Sequence, residues 1–170
     1  MYHHIPISKI KNFERQINFL LDDGWIFINP QDLFSNRYKT SNKEILLTFD
    51  DGFYSNKIVA DKVLKKYNIK AIFFVPTKFT QIDSVENCNQ FIKKNLELKK
   101  ISFLNQRKIS MNCEDLLSLV KSKHYIGAHT VFHKKINGIA SNFMKRFEIN
   151  SSINCKKIQQ KIFFFCLSIW

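Results

Sequence analysis

Several features are absent from this 170-residue sequence, and each absence removes a class of protein. No segment approaches the roughly 18 apolar residues that a bilayer-spanning helix needs, so a membrane-spanning chain is not expected. The sequence opens on Met1-Tyr2-His3-His4, without a charged start followed by an apolar stretch, so no signal peptide is predicted. These two absences favour a cytoplasmic location.

The cysteines form no C-x-x-C pair and lie far apart in the chain. This spacing is not that of a cysteine zinc site or of a dense disulfide framework, so it predicts free thiols in a reducing compartment. The four residues are Cys88, Cys113, Cys155 and Cys166.

Acidic residues are scarce: 14 Asp and Glu stand against 27 Lys and Arg, which gives a formal net charge of +13 at pH 7. A basic chain can bind nucleic acid, a membrane surface or an acidic polysaccharide. The lysines are spread along the chain in short pairs, however, with no long basic run and no nucleic-acid motif. We therefore interpret the charge as a compositional bias, and we expect no nucleic-acid partner.

Apolar residues are plentiful, at 45% of the sequence, and 17 of the residues are phenylalanine. This composition predicts a folded chain with a phenylalanine-rich core. We expect one domain over residues 1–170. A closed (β/α) barrel typically needs roughly 250 residues, so this chain is short for one.

The segment Ile45–Gly52 predicts a short buried strand that ends on two adjacent carboxylates and a glycine. Its apolar part is too short for a core helix and favours a central strand of a parallel sheet. Side chains alternate along a strand, so Asp50 and Asp51 should point in different directions. One carboxylate can then bind a metal while the other acts as a base. The alternative is that Asp-Asp-Gly is an ordinary solvated turn.

A second short apolar strand, which begins at Tyr125, ends on His129, and His133 follows four residues later. If a helical turn starts at His129, both imidazoles lie on one face of it. Two imidazoles and one carboxylate make a three-ligand zinc site with an open fourth position, which is the arrangement of catalytic zinc. The two strand ends together therefore indicate a metal-dependent enzyme.

The rest of the chain predicts alternating helices and strands. We expect His3 and His4, on the first strand, to have a structural role or to contact and orient the metal ligands, rather than to bind the metal. The predicted strands are Tyr2–Ile5, Trp25–Ile28 and Ala71–Val75. The predicted helices are one capped by Ser8 and ended by Gly24, a short turn from Pro30 to Leu33, Ser55–Tyr67, Val85–Leu98, one that begins after Asn112 or Cys113, and Phe147–Ile162.

These segments resemble the polysaccharide deacetylase family, also called the NodB-homology domain or carbohydrate esterase family 4. Thr48–Gly52 is similar to the family's first motif and His129–His133 to its second, and Ile69–Pro76 resembles the strand between them. The resemblance implies an α/β fold, a (β/α) barrel of parallel strands of the glycoside hydrolase/deacetylase type. Because the chain stops early, we expect a partial barrel without its last strands.

The resemblance also implies roles for the residues at the two motifs. Asp51, His129 and His133 would hold a divalent metal, for which we expect Zn²⁺, and Asp50 would be the catalytic base. The expected substrate is an N-acetylated carbohydrate, with O-acetyl groups as an alternative, and the sequence predicts no oligomeric state. A non-catalytic fragment that binds carbohydrate or a partner chain is the competing interpretation.

The sequence departs from the family at two places. Lys123 stands where the family often has a glycine. The family's third motif, similar to Phe-Ala-Tyr-Pro-Phe-Gly, is absent, and residues 163–170 stand in its place. One codon series for the end of the chain, TTT TTT TGC CTA TCC ATT TGG, encodes Phe-Phe-Ala-Tyr-Pro-Phe-Gly when one T is removed. We therefore expect residues 163–170 to be a frame-shifted tail, with a naturally short protein as the alternative, and we assign no general acid.

Overall fold

A computed structural model of the chain describes residues 1–33, 42–96, 106–133 and 162–163. The described residues form five α-helices and six short strands. The strands are β1 (Ile26–Phe27), β2 (Glu44–Ile45), β3 (Leu47–Phe49), β4 (Ala71–Val75), β5 (Tyr125–Ala128) and β6 (Ile162–Phe163). The helices are α1 (Ile10–Asp22), α2 (Pro30–Leu33), α3 (Tyr54–Val59), α4 (Val85–Phe91) and α5 (Cys113–Lys121).

The main sheet has the strand order β3-β4-β5-β6, and all of its pairs are parallel. Tyr2 extends it beyond β3 through a parallel bridge to Phe49. Within the described ranges the sheet does not close on itself, so the expected partial barrel of parallel strands is confirmed. Parallel strands bring their carboxyl ends to one edge, where α/β enzymes place their chemistry.

The predicted strand that begins at Ile45 is split between two sheets. Ile45 pairs with Phe27 in the two-stranded sheet β1-β2, whereas Leu47 pairs with Ala71 in the main sheet. The chain changes its pairing partner at Leu46, which belongs to neither strand. The apolar run alone could not show this change, because both halves are hydrophobic.

Stacked phenylalanines fill the core, as the composition predicts. The rings of Phe49 on β3 and Phe73 on β4 stack with their centroids 4.9 Å apart, and both side chains are buried. A second buried cluster lies under the segment from Phe79 to Leu96, where the rings of Phe79 and Phe91 also stack at 4.9 Å. The two clusters together support the carboxyl edge of β3 and β4.

The helix boundaries confirm most of the predictions. Gly24, at φ +81°, follows the end of α1, but the first turn is a 3₁₀ helix, Ile7–Lys9, so Ser8 is not the cap. Asn112 caps α5 in a capping box with Asp115, which decides between the two predicted starts. Both α3 and α4 continue as π-helical turns, Ala60–Leu64 and Ile92–Leu96.

The C-terminal predictions fall mostly outside the described residues. The predicted helix Phe147–Ile162 lies there except for its last residue, which is in strand β6, so its predicted end is wrong. The frame-shifted tail also lies outside, apart from Phe163, and stays a prediction. In the part of the chain that the structure describes, no helix is long and apolar enough to cross a bilayer.

The two cysteines among the described residues differ. Cys88 is a buried free thiol, as predicted. Cys113 is disulfide-bonded, so the prediction of free thiols is wrong at that residue.

Candidate metal centre

Two left-handed residues turn the chain sharply after β3. Asp51 has φ 70° and Gly52 has φ 72°. A Cβ at Gly52 would lie 3.2 Å from Cγ1 of Val75, so both the conformation and the close approach of β4 favour glycine. Left-handed backbone at a non-glycine residue is strained and is concentrated at functional sites. The Asp-Asp-Gly segment is therefore a buried turn and not a solvated one, since Asp50 and Asp51 are only 4% and 2% exposed.

The segment after β5 is also held in an irregular turn. The His129 N–H donates to the carbonyl of Val75 at 3.0 Å, and the Thr77 N–H donates to the carbonyl of Thr130 at 3.1 Å. Thr130 and His133 have φ 61° and 57°, so the prediction of a helical turn from His129 is wrong. Hydrogen bonds to the segment after β4 hold the backbone away from the helical conformation, yet both imidazoles still reach the same place.

Asp51, His129 and His133 converge at the carboxyl edge of the sheet. Oδ1 of Asp51 lies 3.4 Å from Nε2 of His133 and 4.0 Å from Nε2 of His129. One ligand atom from each residue lies within 4.8 Å of the others. Asp51 and His129 are buried, and the His133 side chain is 24% exposed. The structure therefore brings together the three residues that the sequence predicts as ligands.

The donor atoms of this group fit a divalent cation. Asp51 Oδ1 and both ring nitrogens of His129 are buried and have no hydrogen-bond partner among the described residues. Buried polar atoms almost always have a partner, and their desolvation is costly when they lack one. A carboxylate oxygen and two imidazole nitrogens are a ligand set that zinc accepts. An ion at the centre of the three side chains would satisfy Oδ1 of Asp51 and Nε2 of His129, whereas one ion cannot bind both nitrogens of the same imidazole.

A backbone carbonyl orients one of the imidazoles. Nδ1 of His133 lies 3.1 Å from the carbonyl oxygen of Asn95, at the end of the π-helical turn. Since a carbonyl only accepts, Nδ1 carries the proton, and the Nε2 lone pair faces Asp51. The segment from Val85 to Leu96 therefore fixes the orientation of a predicted ligand, a contact that its sequence pattern does not indicate.

The comparisons with known proteins decide the family. The profile of the family described as "Polysaccharide deacetylase" matches residues 37–162, well over half of the chain. The chain belongs to the polysaccharide deacetylase family. The Bacillus subtilis (strain 168) protein YxkH, a polysaccharide deacetylase by name, is 29% identical over 147 residues. That alignment covers 82% of this chain and 44% of YxkH, so the chain spans less than half of this relative.

Solved deacetylases share the fold of this family member. IcaB from Ammonifex degensii superposes with a TM-score of 0.61 at 22% identity and covers 96% of this chain and 70% of its own. The Streptococcus pyogenes deacetylase PplD, solved in complex with acetate, superposes with a TM-score of 0.58 at 19% identity. The match covers 91% of this chain and 67% of PplD. At these identities the likeness shows the fold.

Burial sets the protonation of the site residues in this deacetylase-family chain. It raises the pKa of Asp50 to about 6 against the opposing positive charge of His3, and it also raises the pKa of Asp51. Burial lowers the pKa of His129 to about 4, with the charge of His133 as a second cause. The His129 ring is therefore neutral at pH 7 and keeps the lone pair that metal binding needs.

His3 lies near the site, as one of the two roles expected for it requires. A positive charge on its ring would lower the pKa of Asp50, Asp51 and His129. The Asp50 N–H donates to the carbonyl of Tyr2, the residue before His3, which brings this segment to the end of β3. His4, by contrast, lies with Nδ1 2.9 Å from the Ser55 hydroxyl, a contact that fits the structural role expected for this residue. Alternation of side chains along the first segment was the available signal, because adjacent histidines face opposite ways.

The remaining described histidine lies away from the site. His124 precedes β5, and its Nδ1 accepts a hydrogen bond from the Ala71 N–H at 3.2 Å. Burial lowers its pKa to about 4, so the ring is neutral and serves as an acceptor for a backbone group at the start of β4. His124 therefore supports the sheet and not the reaction.

Proposed function

We propose that this chain carries the catalytic site of a metal-dependent hydrolase that removes N-acetyl groups from a carbohydrate. The observation that carries the proposal is the convergence of Asp51, His129 and His133 beside Asp50 at the carboxyl edge of the sheet. Membership of the polysaccharide deacetylase family supports the reaction class. Because the chain spans 44% of YxkH, the activity of this chain is part of the proposal.

The three converging side chains would hold the metal. Asp51 supplies a carboxylate oxygen, and His129 and His133 each present Nε2 toward it. We expect Zn²⁺, because this mixed oxygen and nitrogen set with an open position is typical of catalytic zinc. When bound, the ion supplies a water of lowered pKa and polarises the acetyl carbonyl.

Asp50 would act as the base. Its buried carboxyl has a pKa of about 6, so at pH 7 it is mostly ionised yet still basic enough to accept a proton. Water attacks the acetyl carbonyl carbon while Asp50 takes the proton from it. The carbon–nitrogen bond then breaks, acetate leaves, and the amine nitrogen takes up a proton.

His3 is the group that we assign to deliver a proton to the leaving amine. Among the described histidines that are not predicted ligands, His4 bonds to Ser55 and His124 bonds to the Ala71 backbone. Of the three, His3 lies beside Asp50: the Asp50 N–H donates to the carbonyl of Tyr2, the preceding residue, and Asn56 Nδ2 contacts the carbonyls of both His3 and Asp50. Loss of a general acid or base typically lowers the rate by ~10² to 10⁴, so His3→Ala should retain metal and lose most of the turnover.

The substrate class is proposed from the relatives. PplD was solved with acetate, which is the product of this reaction, and a further structural neighbour is a de-N-acetylase from Aggregatibacter actinomycetemcomitans. That neighbour superposes with a TM-score of 0.54 at 20% identity. An O-acetyl ester would be attacked by the same groups, and N-acetylated and O-acetylated oligosaccharides should therefore be compared directly.

Acetate release tests the proposal. The zinc-loaded chain is incubated with an N-acetylated glucosamine oligomer, and acetate is measured over time. We expect release by the wild type and a loss of ~10² or more in Asp50→Asn, which keeps the shape of the side chain but removes the base. Oligomer binding without acetate release would contradict the proposal and would indicate the non-catalytic binding fragment instead.

A further inference from the structure

A buried amide joins two segments that flank the candidate site. Asn56 lies in the first turn of α3 and has 0% of its surface exposed. Its Nδ2 donates to the carbonyl oxygen of His3 at 2.7 Å and lies 3.4 Å from the carbonyl oxygen of Asp50. One side chain therefore contacts the backbone of both residues to which the proposed reaction assigns proton transfers.

The side-chain amide of Asn56 lies where the parallel pairing between Tyr2 and β3 ends. The Tyr2 N–H donates to the carbonyl of Thr48 at 2.9 Å, and the Asp50 N–H donates to the carbonyl of Tyr2 at 2.8 Å. Beyond these bonds the parallel pairing ends, and the next carbonyls on the two segments are those of His3 and Asp50. Buried carbonyls need donors, and Asn56 supplies them to both. Asn56 thus links the N-terminal segment to the end of β3 beyond the last backbone hydrogen bond between them.

The contacts use the donor end of the amide. Oδ1 of Asn56 is buried and has no hydrogen-bond partner in the described part of the chain, so the NH₂ group makes the side-chain contacts with the site segments. An aspartate at this position would direct a carboxylate at two carbonyl oxygens. An alanine would leave both carbonyls without this donor.

We infer that Asn56 is a positioning residue, which fixes the N-terminal segment that carries His3 against the end of β3 that carries Asp50. The inference rests on the proposed function, because it assigns proton transfers to these two residues. Two of the three predicted metal ligands are held by other contacts, His129 by Val75 and His133 by the carbonyl of Asn95, and the third, Asp51, is set by its own left-handed turn. We call the two contacts of Asn56, with the carbonyls of His3 and Asp50, the clamp. Loss of the clamp should therefore disturb proton transfer and spare metal binding.

Asn56→Ala is compared with Ser55→Ala as a matched control. Ser55 is the neighbouring residue, is also buried, and also contacts the N-terminal segment, but it does so through the His4 ring. Three quantities are measured on the full chain: hydrogen exchange at the Asp50 amide, zinc affinity by titration, and kcat and KM for acetate release. If Asn56→Ala does not fold, Asn56→Ser, which keeps a single hydroxyl donor, takes its place.

The clamp predicts a specific combination of results. Exchange at the Asp50 amide should rise about tenfold or more in Asn56→Ala, and kcat should fall by roughly ten- to hundredfold, the range that small misplacements of reacting groups produce. KM and zinc affinity should stay within about threefold of the wild type. Ser55→Ala should leave the Asp50 exchange rate and kcat close to those of the wild type.

Three results would overturn the inference: unchanged exchange in Asn56→Ala, equal effects of the two variants, or a parallel loss of zinc affinity. The exchange measurement does not depend on turnover. A wild type that releases no acetate therefore overturns the proposed function, while the Asp50 exchange rate still decides whether Asn56 holds the two segments together.

Discussion

Nε2 of His133 lies 3.4 Å from Oδ1 of Asp51, although the two residues follow different strands and stand far apart in the sequence. Two fixed backbones produce this proximity. Asp51 sits in a left-handed turn after β3, and the carbonyl of Asn95 holds the His133 ring through Nδ1. The relationship therefore depends on the loops at the sheet edge, and these loops depend in turn on the strands and helices that carry them.

The end of α5 predicts a stabilising substitution. Lys123 has φ 63° and closes a Schellman motif: its N–H donates to Val120 O and the next N–H, of His124, donates to Leu119 O. A side chain in left-handed backbone costs roughly 1–2 kcal/mol, and glycine avoids most of that strain. We expect Lys123→Gly to raise the free energy of unfolding by about 0.5–1 kcal/mol in urea denaturation.

Lys121→Gly is the control for that substitution. Lys121 lies in the last turn of α5 with ordinary helical backbone, so a glycine there should lower the free energy of unfolding by about 1 kcal/mol. If both substitutions changed the free energy of unfolding in the same direction, the account of the α5 terminus would be contradicted.

Close packing between β4 and β5 predicts a destabilising substitution. A Cβ at Gly127 would lie 2.4 Å from Cδ1 of Phe74, and both residues are in the paired strands. The rigid ring cannot move without disturbing its neighbours, so Gly127→Ala should lower the free energy of unfolding by about 1–3 kcal/mol. In a Phe74→Leu background the same change should be less harmful, and full additivity of the two substitutions would argue against the clash.

The buried ring of His124 predicts a pH dependence of stability. Its pKa falls from 6.5 to about 4 on folding, first through burial and then through the charge of Lys70. Because the folded-state pKa is the lower one, the unfolded chain takes up the proton first, and stability is lost as pH falls from about 6.5 toward 4. This residue alone should remove on the order of 2 kcal/mol between pH 7.5 and pH 5.

His124→Asn isolates that contribution. Asparagine retains an acceptor for the Ala71 N–H and does not titrate in this range. The difference in free energy of unfolding between wild type and variant should therefore shift in favour of the variant as the pH is lowered, measured on the metal-free chain by urea denaturation. Parallel stability curves from pH 7.5 to pH 5 would show that His124 is not held neutral in the fold.

The sequence was informative where residue pattern and backbone agree. The uniformly apolar run Ala71–Val75 is the β4 strand with the predicted bounds, because a fully buried parallel strand needs no polar face. The three side chains that the two motifs predict as ligands also converge at one edge of the sheet. Parallel strands end at one edge of the sheet, which places Asp51 and His129 on the same side of the molecule, and the turns after the two strands then bring them together.

The details that failed depend on contacts distant in the chain. The turn after His129 is not helical because its backbone bonds to the segment after β4, and no local pattern in Thr130 and its neighbours indicates left-handed backbone. The position of His3 follows from the pairing of Tyr2 with β3, which sequence spacing does not specify. Asn95 contacts His133 through its backbone carbonyl, a group that every residue carries, so the residue type at this position could not predict the contact.

Zinc titration of the metal-free chain tests the central claim most directly. Wild type and Asp50→Asn should bind one equivalent of zinc with similar affinity, since the Asp50 side chain is not among the three converging ligands. Asp51→Ala and His133→Ala should abolish this binding, because each removes one of the three predicted ligands that converge in the described part of the chain. If both ligand variants took up zinc as the wild type does, the metal site at the edge of the sheet would be wrong.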